Sequence, residues 1–440
     1  MNDCIPLPNP FVGLRPFENE DSLYFFGREE QTRDLLQQLH RNRFIAVVGS
    51  SGAGKSSLVR AGLIPHLEGG ILIQDRDAWL LVRMKPGEAP LDNLAEALLW
   101  TLGEAVGRKQ VVELVRGIRR GGVRAVLARL APVLQARDAN LFLLIDQFEE
   151  VFRLYAEQPD RSRRENAAEL VSLMLRLAEQ RELPVFVCLT MRSDFLGDCD
   201  RFQGLPEAMN RSQYLVPRLT RDQRREAITR PVQLAGSTIS PRVLDRLLNE
   251  SLGTRDDLPI LQHALMRTWD TWAKRPQGPI DLEHYERIGT AHQALNAHAD
   301  EALCGLGGGK IDDQRLTPEQ SAAKCLFQLL TQVDKGNRLI RRPTRLSRAA
   351  AVAGVTPQDL WPIIRTFQDD GRDFLVLSDT ARDGDPMIDI SHESLIRQWT
   401  RLGSWVEEEA NSAAVYLRLA DAAERRQIGK AEPYRGVELK

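Results

Sequence analysis

Gly49, Gly54, Lys55 and Ser56 fall in the stretch GSSGAGKSS at the spacing of a phosphate loop: two glycines separated by four residues, then a lysine and a hydroxyl. Phosphate binding needs those types in that order. Small residues at Ser50, Ser51, Gly52 and Ala53 let successive backbone N–H groups turn into one concavity, and the start of the following helix favours an anion there. Lys55 would then reach the β- and γ-phosphates of a nucleotide, the Ser56 hydroxyl would meet Mg2+, and Ser57 would complete the loop. Asp146 ends the apolar run LFLLI, so its carboxylate leaves the carboxyl end of a strand, where a doubly wound sheet opens its ligand crevice. It is the expected second holder of the metal. Glu149 and Glu150 follow by three and four positions, and either could act as general base on an attacking water. A solvated acidic helix start is the alternative for both. Arg192 closes VFVCLTMR, from where it would sense the γ-phosphate; a surface arginine is the alternative.

These residues need a sheet to hold them, and their flanks supply one. Short β-rich apolar runs, RFIAVV, AWLLVRM, LFLLID, VFVCLTM and SQYLVPRL, alternate with helical stretches between residues 43 and 219. The alternation predicts an α/β P-loop NTPase core, a parallel sheet with helices on both faces. About a hundred residues separate the first strand from the strand of Asp146, leaving room for another between them, and VFVCLTMR is the candidate. From Thr220 helical spacing takes over in DQRREAITRPVQLA, PRVLDRLLNES and LPILQHALMRTWDTWA, with no strand expected to about residue 303. The glycine run CGLGGGK reads as a linker. Helices at 317–333 and 356–370, two strands around the polar turn of LVLSDTARDGDPMIDI, and a helix from about 392 predict a winged helix. The expected divisions are a lead-in at 1–26, the P-loop NTPase domain at 27–219, an all-α domain at 220–303, the linker at 304–310, the winged helix at 311–408, and at 409–440 a helical arm or the start of a sensor region.

Composition narrows the partners. A chain of 440 residues, 42% hydrophobic, is large enough for about three domains with real cores. Its 59 basic and 61 acidic residues nearly cancel, so no global field draws it to nucleic acid or to an anionic membrane. The longest apolar runs are far shorter than the roughly 20 residues of a membrane-spanning helix, and MNDCIPLPNP lacks the segments of a signal peptide. A cytoplasmic protein without membrane partners is expected. Cys4, Cys188, Cys199, Cys304 and Cys325 form no CxxC pair and no metal spacing, which suits reduced thiols without structural zinc.

Two stretches are less specific by themselves. In FFGRE, the backbone of Phe26, Gly27 and Arg28 could border an adenine, although a hydrophobic staple with a glycine turn has the same look. In ISHES, His392 starts the last helix, where Ser391 could cap it. Ile396 occupies the place of the second histidine of HExxH, so this is no zinc motif, and the residues alone make His392 a capping or packing side chain.

The segments NPFVGLRPFENEDSLYFFGREE, GSSGAGKSSLVRAGLIP, LFLLIDQFEEVF, TMRSDF, LPILQHALMRTW and IDISHESLIRQW, in that order, resemble the STAND class of signal-transducing P-loop NTPases. The similarity is greatest to the bacterial novel STAND NTPase 1 group and runs over nearly the whole chain. It implies an ATP-binding core, a helical domain and a winged helix that close over the nucleotide. Such proteins are switches: ADP holds a closed monomer, ATP permits opening and oligomerisation, and hydrolysis is slow and Mg2+-dependent. In that frame Phe26, Gly27 and Arg28 border the base, Pro259 of LPIL touches it from the helical domain, and His392 reads the β-phosphate of ADP. Bacterial defence or regulation is the implied setting. A protein effector or sensor is the implied partner, since family members usually carry an effector module or a long sensor array, often β-propeller repeats, after the winged helix. Arg211 sits where related ATPases place an arginine finger, but the pattern around it is not matched residue by residue. A second class is an initiator-type ATPase that binds DNA through its winged helix. Its support is the arginine-rich NRLIRRPTRLSR at 337–348, which could neutralise phosphates, although a solvated or partner-facing surface is commoner. A small-molecule kinase would lack an acceptor pocket and leave two domains idle.

Overall fold

The computed structural model describes residues 8–156, 161–250, 257–333, 339–369, 371–377 and 385–427. Cys4, residues 337–338 of the arginine-rich stretch, and the turn at 378–384 lie outside them. The chain divides into two units, Met1–Ala291 and His292–Lys440.

The first unit is built on a sheet of β1 (Phe44–Gly49), β2 (Ala78–Met84), β3 (Ala139–Ile145), β4 (Val185–Arg192) and β5 (Gln213–Leu215). The order is β2-β3-β4-β1-β5, all neighbours parallel. The VFVCLTMR strand therefore lies between β1 and β3, as the separation of those two in sequence requires. Register sets Gly49 opposite Arg192 and Ile145 opposite Leu189, which brings the phosphate-loop entrance, the end of β4 and Asp146 to one edge. Alternate residues of the central strands feed two cores. Ala46, Val48, Leu143, Ile145, Val187 and Leu189 face one; Ile45, Val47, Phe142, Leu144, Phe186 and Cys188 face the other. Burial on both faces explains why these strands read as unbroken apolar runs.

Helices Pro90–Thr101, Arg108–Gly121, Val123–Arg137 and Arg161–Glu179 contribute to the first core, and helix Glu29–Arg41 with residues 58–67 to the second. Each leucine or phenylalanine so buried stabilises the unit by about 1.5–3 kcal/mol. The fifth strand is shorter than SQYLVPRL suggests, because Pro217 has no N–H to continue a ladder. Helix Arg221–Leu234 starts at a capping box, Gln223 N donating to Thr220 Oγ1 at 3.2 Å and Thr220 N to Gln223 Oε1 at 3.0 Å. Helices Pro241–Glu250 and Asp257–Ala273 follow. One isolated parallel bridge, Ile239 to Ile280, interrupts the strand-free stretch expected there.

In the second unit two expectations need correction. Cys304–Leu306 finish helix Ala291–Leu306, and a Cβ added at Gly307 would lie 2.0 Å from Gln320 Nε2. Gln320 also donates to Leu303 O (3.2 Å) and Lys310 O (2.7 Å). The run thus ends a helix inside this unit, with Gly307 packed and Gly305, Gly308 and Gly309 facing open space, and does not divide two units. Helix Pro318–Leu329 stops short of residue 333, because the chain enters β6 (Thr331–Val333), antiparallel to β7 (Leu339–Arg341). After β8 (Thr344–Arg345) come helices Leu346–Ala353 and Pro357–Thr366. β9 (Leu375–Leu377) and β10 (Met387–Ile390) pair antiparallel, in a sheet of order β8-β10-β9. Phe327 stands edge-on to Phe367 and Trp399 at 4.7 and 4.9 Å, closing a core beneath helix Glu393–Gln398 and the start of helix Thr400–Gln427.

Candidate functional site

The loop leaving β1 turns through two glycines in the left-handed region, Gly52 at φ 73° and Gly54 at φ 82°, a conformation side chains disfavour. Gly54 starts the helix that carries Lys55, Ser56 and Ser57. Lys55 folds back over the loop, Nζ donating to Gly49 O at 3.1 Å and Ser50 O at 2.8 Å. Ser56 Oγ donates to Asp146 Oδ1 at 2.9 Å, joining the loop to the end of β3. Ser57 Oγ accepts the Phe17 N–H at 3.1 Å, tying the lead-in to this helix.

Asp146 is 3% exposed and saturated with donors. Thr190 also donates to Oδ1, and Arg60 Nη2 lies 2.5 Å from Oδ2. Burial by itself would raise this carboxyl; Arg60 first, then Lys85 and the hydroxyls of Thr190 and Ser56, outweigh it and hold it at about 2. It is therefore ionised at neutral pH. Gln147 follows at φ 58°, its N–H donating to Thr190 Oγ1 at 3.0 Å, and this left-handed step re-aims the chain into helix Glu149–Ala156. As a result the two glutamates part. Glu149 is buried and its Oε2 accepts the Arg192 N–H at 3.3 Å, at the end of β4, whereas Glu150 Oε2 accepts the Gly87 N–H at 2.8 Å. The Arg192 guanidinium pairs with Asp194 at 2.7 Å and lies 5.8 Å from the Phe195 ring.

The FFGRE segment borders the loop from the other side. Arg28 is buried, with Nη1 on Pro217 O at 2.8 Å and Nη2 on Ala53 O at 3.0 Å, so it clamps the phosphate loop to the exit of β5. Burial, helped by Arg224 and opposed by Tyr214, lowers it to about 10. Phe26 carries the Arg230 guanidinium 4.4 Å above its ring. Helix Asp257–Ala273 begins against the loop: a Cβ added at Gly54 would lie 3.6 Å from Leu258 Cδ1, with Pro259 next in chain. His392, in the second unit, is itself the cap of helix Glu393–Gln398, its Nδ1 accepting the Ser394 N–H at 3.1 Å. Ser391, the cap the sequence suggested, instead donates its N–H to Phe374 O at 3.0 Å. Arg211 is exposed on helix Leu205–Ser212, immediately before β5.

Ser56 and Asp146 are hard oxygen donors brought together, the kind of pair Mg2+ uses when phosphates and water complete its shell. Among the described residues no group of three His, Cys, Asp or Glu could hold a metal unaided. The donor set fits a metal that arrives with its nucleotide, and that metal would supply charge neutralisation at the phosphates. Sequence reasoning missed three participants. Thr190 had a signal, a lone hydroxyl in the apolar strand VFVCLTM. Arg60 and Glu18, which pair with each other, had none beyond lying in the quoted segments.

No described helix is long and apolar enough to cross a membrane. The sequence model of the family described as Novel STAND NTPase 1 matches residues 10–433. The phosphonates import ATP-binding protein PhnC of Lactococcus lactis subsp. lactis (strain IL1403) is 36% identical over 63 residues, 14% of this chain and 25% of that protein. The match thus spans a quarter of that relative's length. Similar solved structures include the ORC2 protein of Aeropyrum pernix in its ADPNP–ADP complexes, with TM-score 0.46 and 11% identity over 87% of this chain and 94% of that one. The Walker-type ATPase paby2304 of Pyrococcus abyssi has TM-score 0.41 and 14% identity over 88% of this chain and 99% of that one. Drosophila ORC bound to DNA has TM-score 0.41 and 14% identity over 86% of this chain and 87% of that one.

Proposed function

The chain belongs to the Novel STAND NTPase 1 family, and from that premise we propose that it is an ATP/ADP-binding switch with slow Mg2+-dependent hydrolysis, whose opening and oligomerisation follow the nucleotide. The observation that carries this reading is the left-handed glycine loop whose Ser56 is hydrogen-bonded to the ionised Asp146. On that reading Lys55 would leave the carbonyls of Gly49 and Ser50 for the phosphates, Ser56 and Asp146 would hold the metal, and Glu149, beside the end of β4, would orient the attacking water. Phe26, Gly27, Arg28 and Pro259 border the base side, with Arg28 acting on the loop carbonyl at Ala53. In the second unit, helices 318–329, 346–353 and 357–366, with β8 between the first two and β9 and β10 after the third, support a winged helix, with His392 at the helix after it. Bacterial defence or regulation through a protein effector or sensor is the setting.

The DNA-binding alternative loses part of its support. Arg341 is held by Asp389 Oδ2 at 2.9 Å and Ile390 O at 3.0 Å on β10, so that arginine of the basic stretch braces its own sheet, while Arg345 stays exposed with Nη1 3.3 Å from Asp385 O. The test is mass in solution by light scattering with ADP and with a non-hydrolysable ATP analogue. Wild type should stay monomeric with ADP and grow with the analogue. Lys55→Ala should show one mass with both nucleotides and bind neither by calorimetry, having lost charge-assisted contacts worth about 1.5–3 kcal/mol each. Equal masses with both nucleotides would overturn the switch.

A further inference from the structure

Arg60 is a half-buried cation between two carboxylates. It lies one helical turn beyond Ser56, on the same face, so both reach Asp146: Ser56 takes Oδ1 and Arg60 takes Oδ2. Its Nη1 is paired with Glu18 Oε1, and Arg83 stands 3.4 Å from the other Glu18 oxygen. Glu18 opens the turn Asn19–Tyr24 of the lead-in. That lead-in is tied to both sides of the loop. Phe17 packs with Val12 and Ala61 and donates its N–H to Ser57, while Asn9 Nδ2 donates to Met266 O at 3.0 Å and Asp270 Oδ1 at 2.8 Å on helix Asp257–Ala273.

A divalent cation taking Oδ1 beside Ser56 would repel the guanidinium on Oδ2 and draw on the same carboxylate charge. We propose, building on the switch reading, that Arg60 is a positioning residue that links the metal to the lead-in: it holds Asp146 when metal is absent, and metal entry releases it from the sheet and loosens Glu18 and the segment behind it. Metal occupancy is thereby reported to helix Asp257–Ala273 through the strap of residues 9–24. A purely structural ion pair would not respond to metal.

The test is Mg2+ titrated by calorimetry into the metal-stripped ADP complex, with amide hydrogen exchange of residues 17–25 read with and without Mg2+. In wild type, Mg2+ should speed exchange in that segment. Arg60→Met should bind Mg2+ about tenfold or more tightly, for want of its competitor, and exchange fast in the segment whether or not metal is present. Glu18→Gln should act in the opposite sense on the metal: Arg60, left with Asp146 alone, holds it harder, and Mg2+ binding weakens while the segment exchanges fast. Arg60→Lys should restore part of the metal response. Opposite signs from the two ends of one guanidinium are the signature. Mg2+ affinity unchanged or lowered in Arg60→Met, or segment exchange in wild type indifferent to bound Mg2+, overturns the link. Neither result touches the switch, which fails on equal masses with ADP and the ATP analogue.

Discussion

The step at Gln147 decides which acid can do chemistry. Because that residue takes φ 58°, the next helix starts with Glu149 aimed at the end of β4 and Glu150 aimed at Gly87. Only the first lies beside the strand that pairs with the phosphate-loop strand. On the proposed hydrolysis, Glu149→Gln should lower phosphate release by about 10²–10⁴-fold, the usual worth of a positioned general base, with ADP affinity unchanged. Glu150→Gln keeps an acceptor for the Gly87 N–H and should keep the rate. Phosphate release by both variants, beside calorimetry with ADP, checks the assignment; an active Glu149→Gln would put the base elsewhere. Arg192 is poised differently from its sequence reading, with its guanidinium on Asp194, so a role at the γ-phosphate requires that pair to open.

Among the elements, the contact between FFGRE and helix Arg221–Leu234 is the tightest near the loop. Gly27 has φ 82°, and a Cβ there would sit 2.4 Å from Gln223 O. Gly27→Ala therefore incurs both the left-handed penalty and a backbone clash, together about 2–5 kcal/mol, and should lower the urea midpoint accordingly. An unshifted midpoint would show that the segment does not dock as described. This contact also marks the limit of what the sequence displayed. The five strands, the loop and Asp146 were legible because their signals are local: short unbroken apolar runs, glycines at fixed spacing, a carboxylate at a strand end. The Arg28 clamp on Ala53 and the Arg60–Glu18 pair were not, because they join residues 25 and 42 apart through side chains that no periodicity aligns. CGLGGGK misled for a related reason. Composition signals freedom at a glycine, but Gly307 is small because Gln320 fills the space beside it.

At the scale of the molecule, near-cancelling charge leaves assembly to local surfaces and not to long-range steering. Of the sheet's two edge strands, β5 has only three residues and β2 has seven, so an oligomer built by sheet extension would have to use β2 and otherwise forms by faces or helices. What restrains it in the ADP state is then the question His392 poses. As a cap alone, its Nδ1 satisfies the Ser394 N–H, and His392→Ala costs about 0.5–2 kcal/mol of stability while ADP leaves at the wild-type rate. If it also reads the β-phosphate, as the family resemblance implies, it favours the closed form selectively. Losing one charge-assisted hydrogen bond of about 1.5–3 kcal/mol would move closed to open roughly ten- to a hundredfold. That is short of the roughly 10⁴-fold that reverses a strongly biased switch, so partial opening is the expected phenotype. His392→Ala should release ADP faster and show some larger species by scattering without added ATP. His392→Asn retains a capping acceptor and separates the two roles: it should restore stability while leaving ADP release fast. Off-rates equal to wild type in both variants, at matched fold stability, would leave His392 a helix cap.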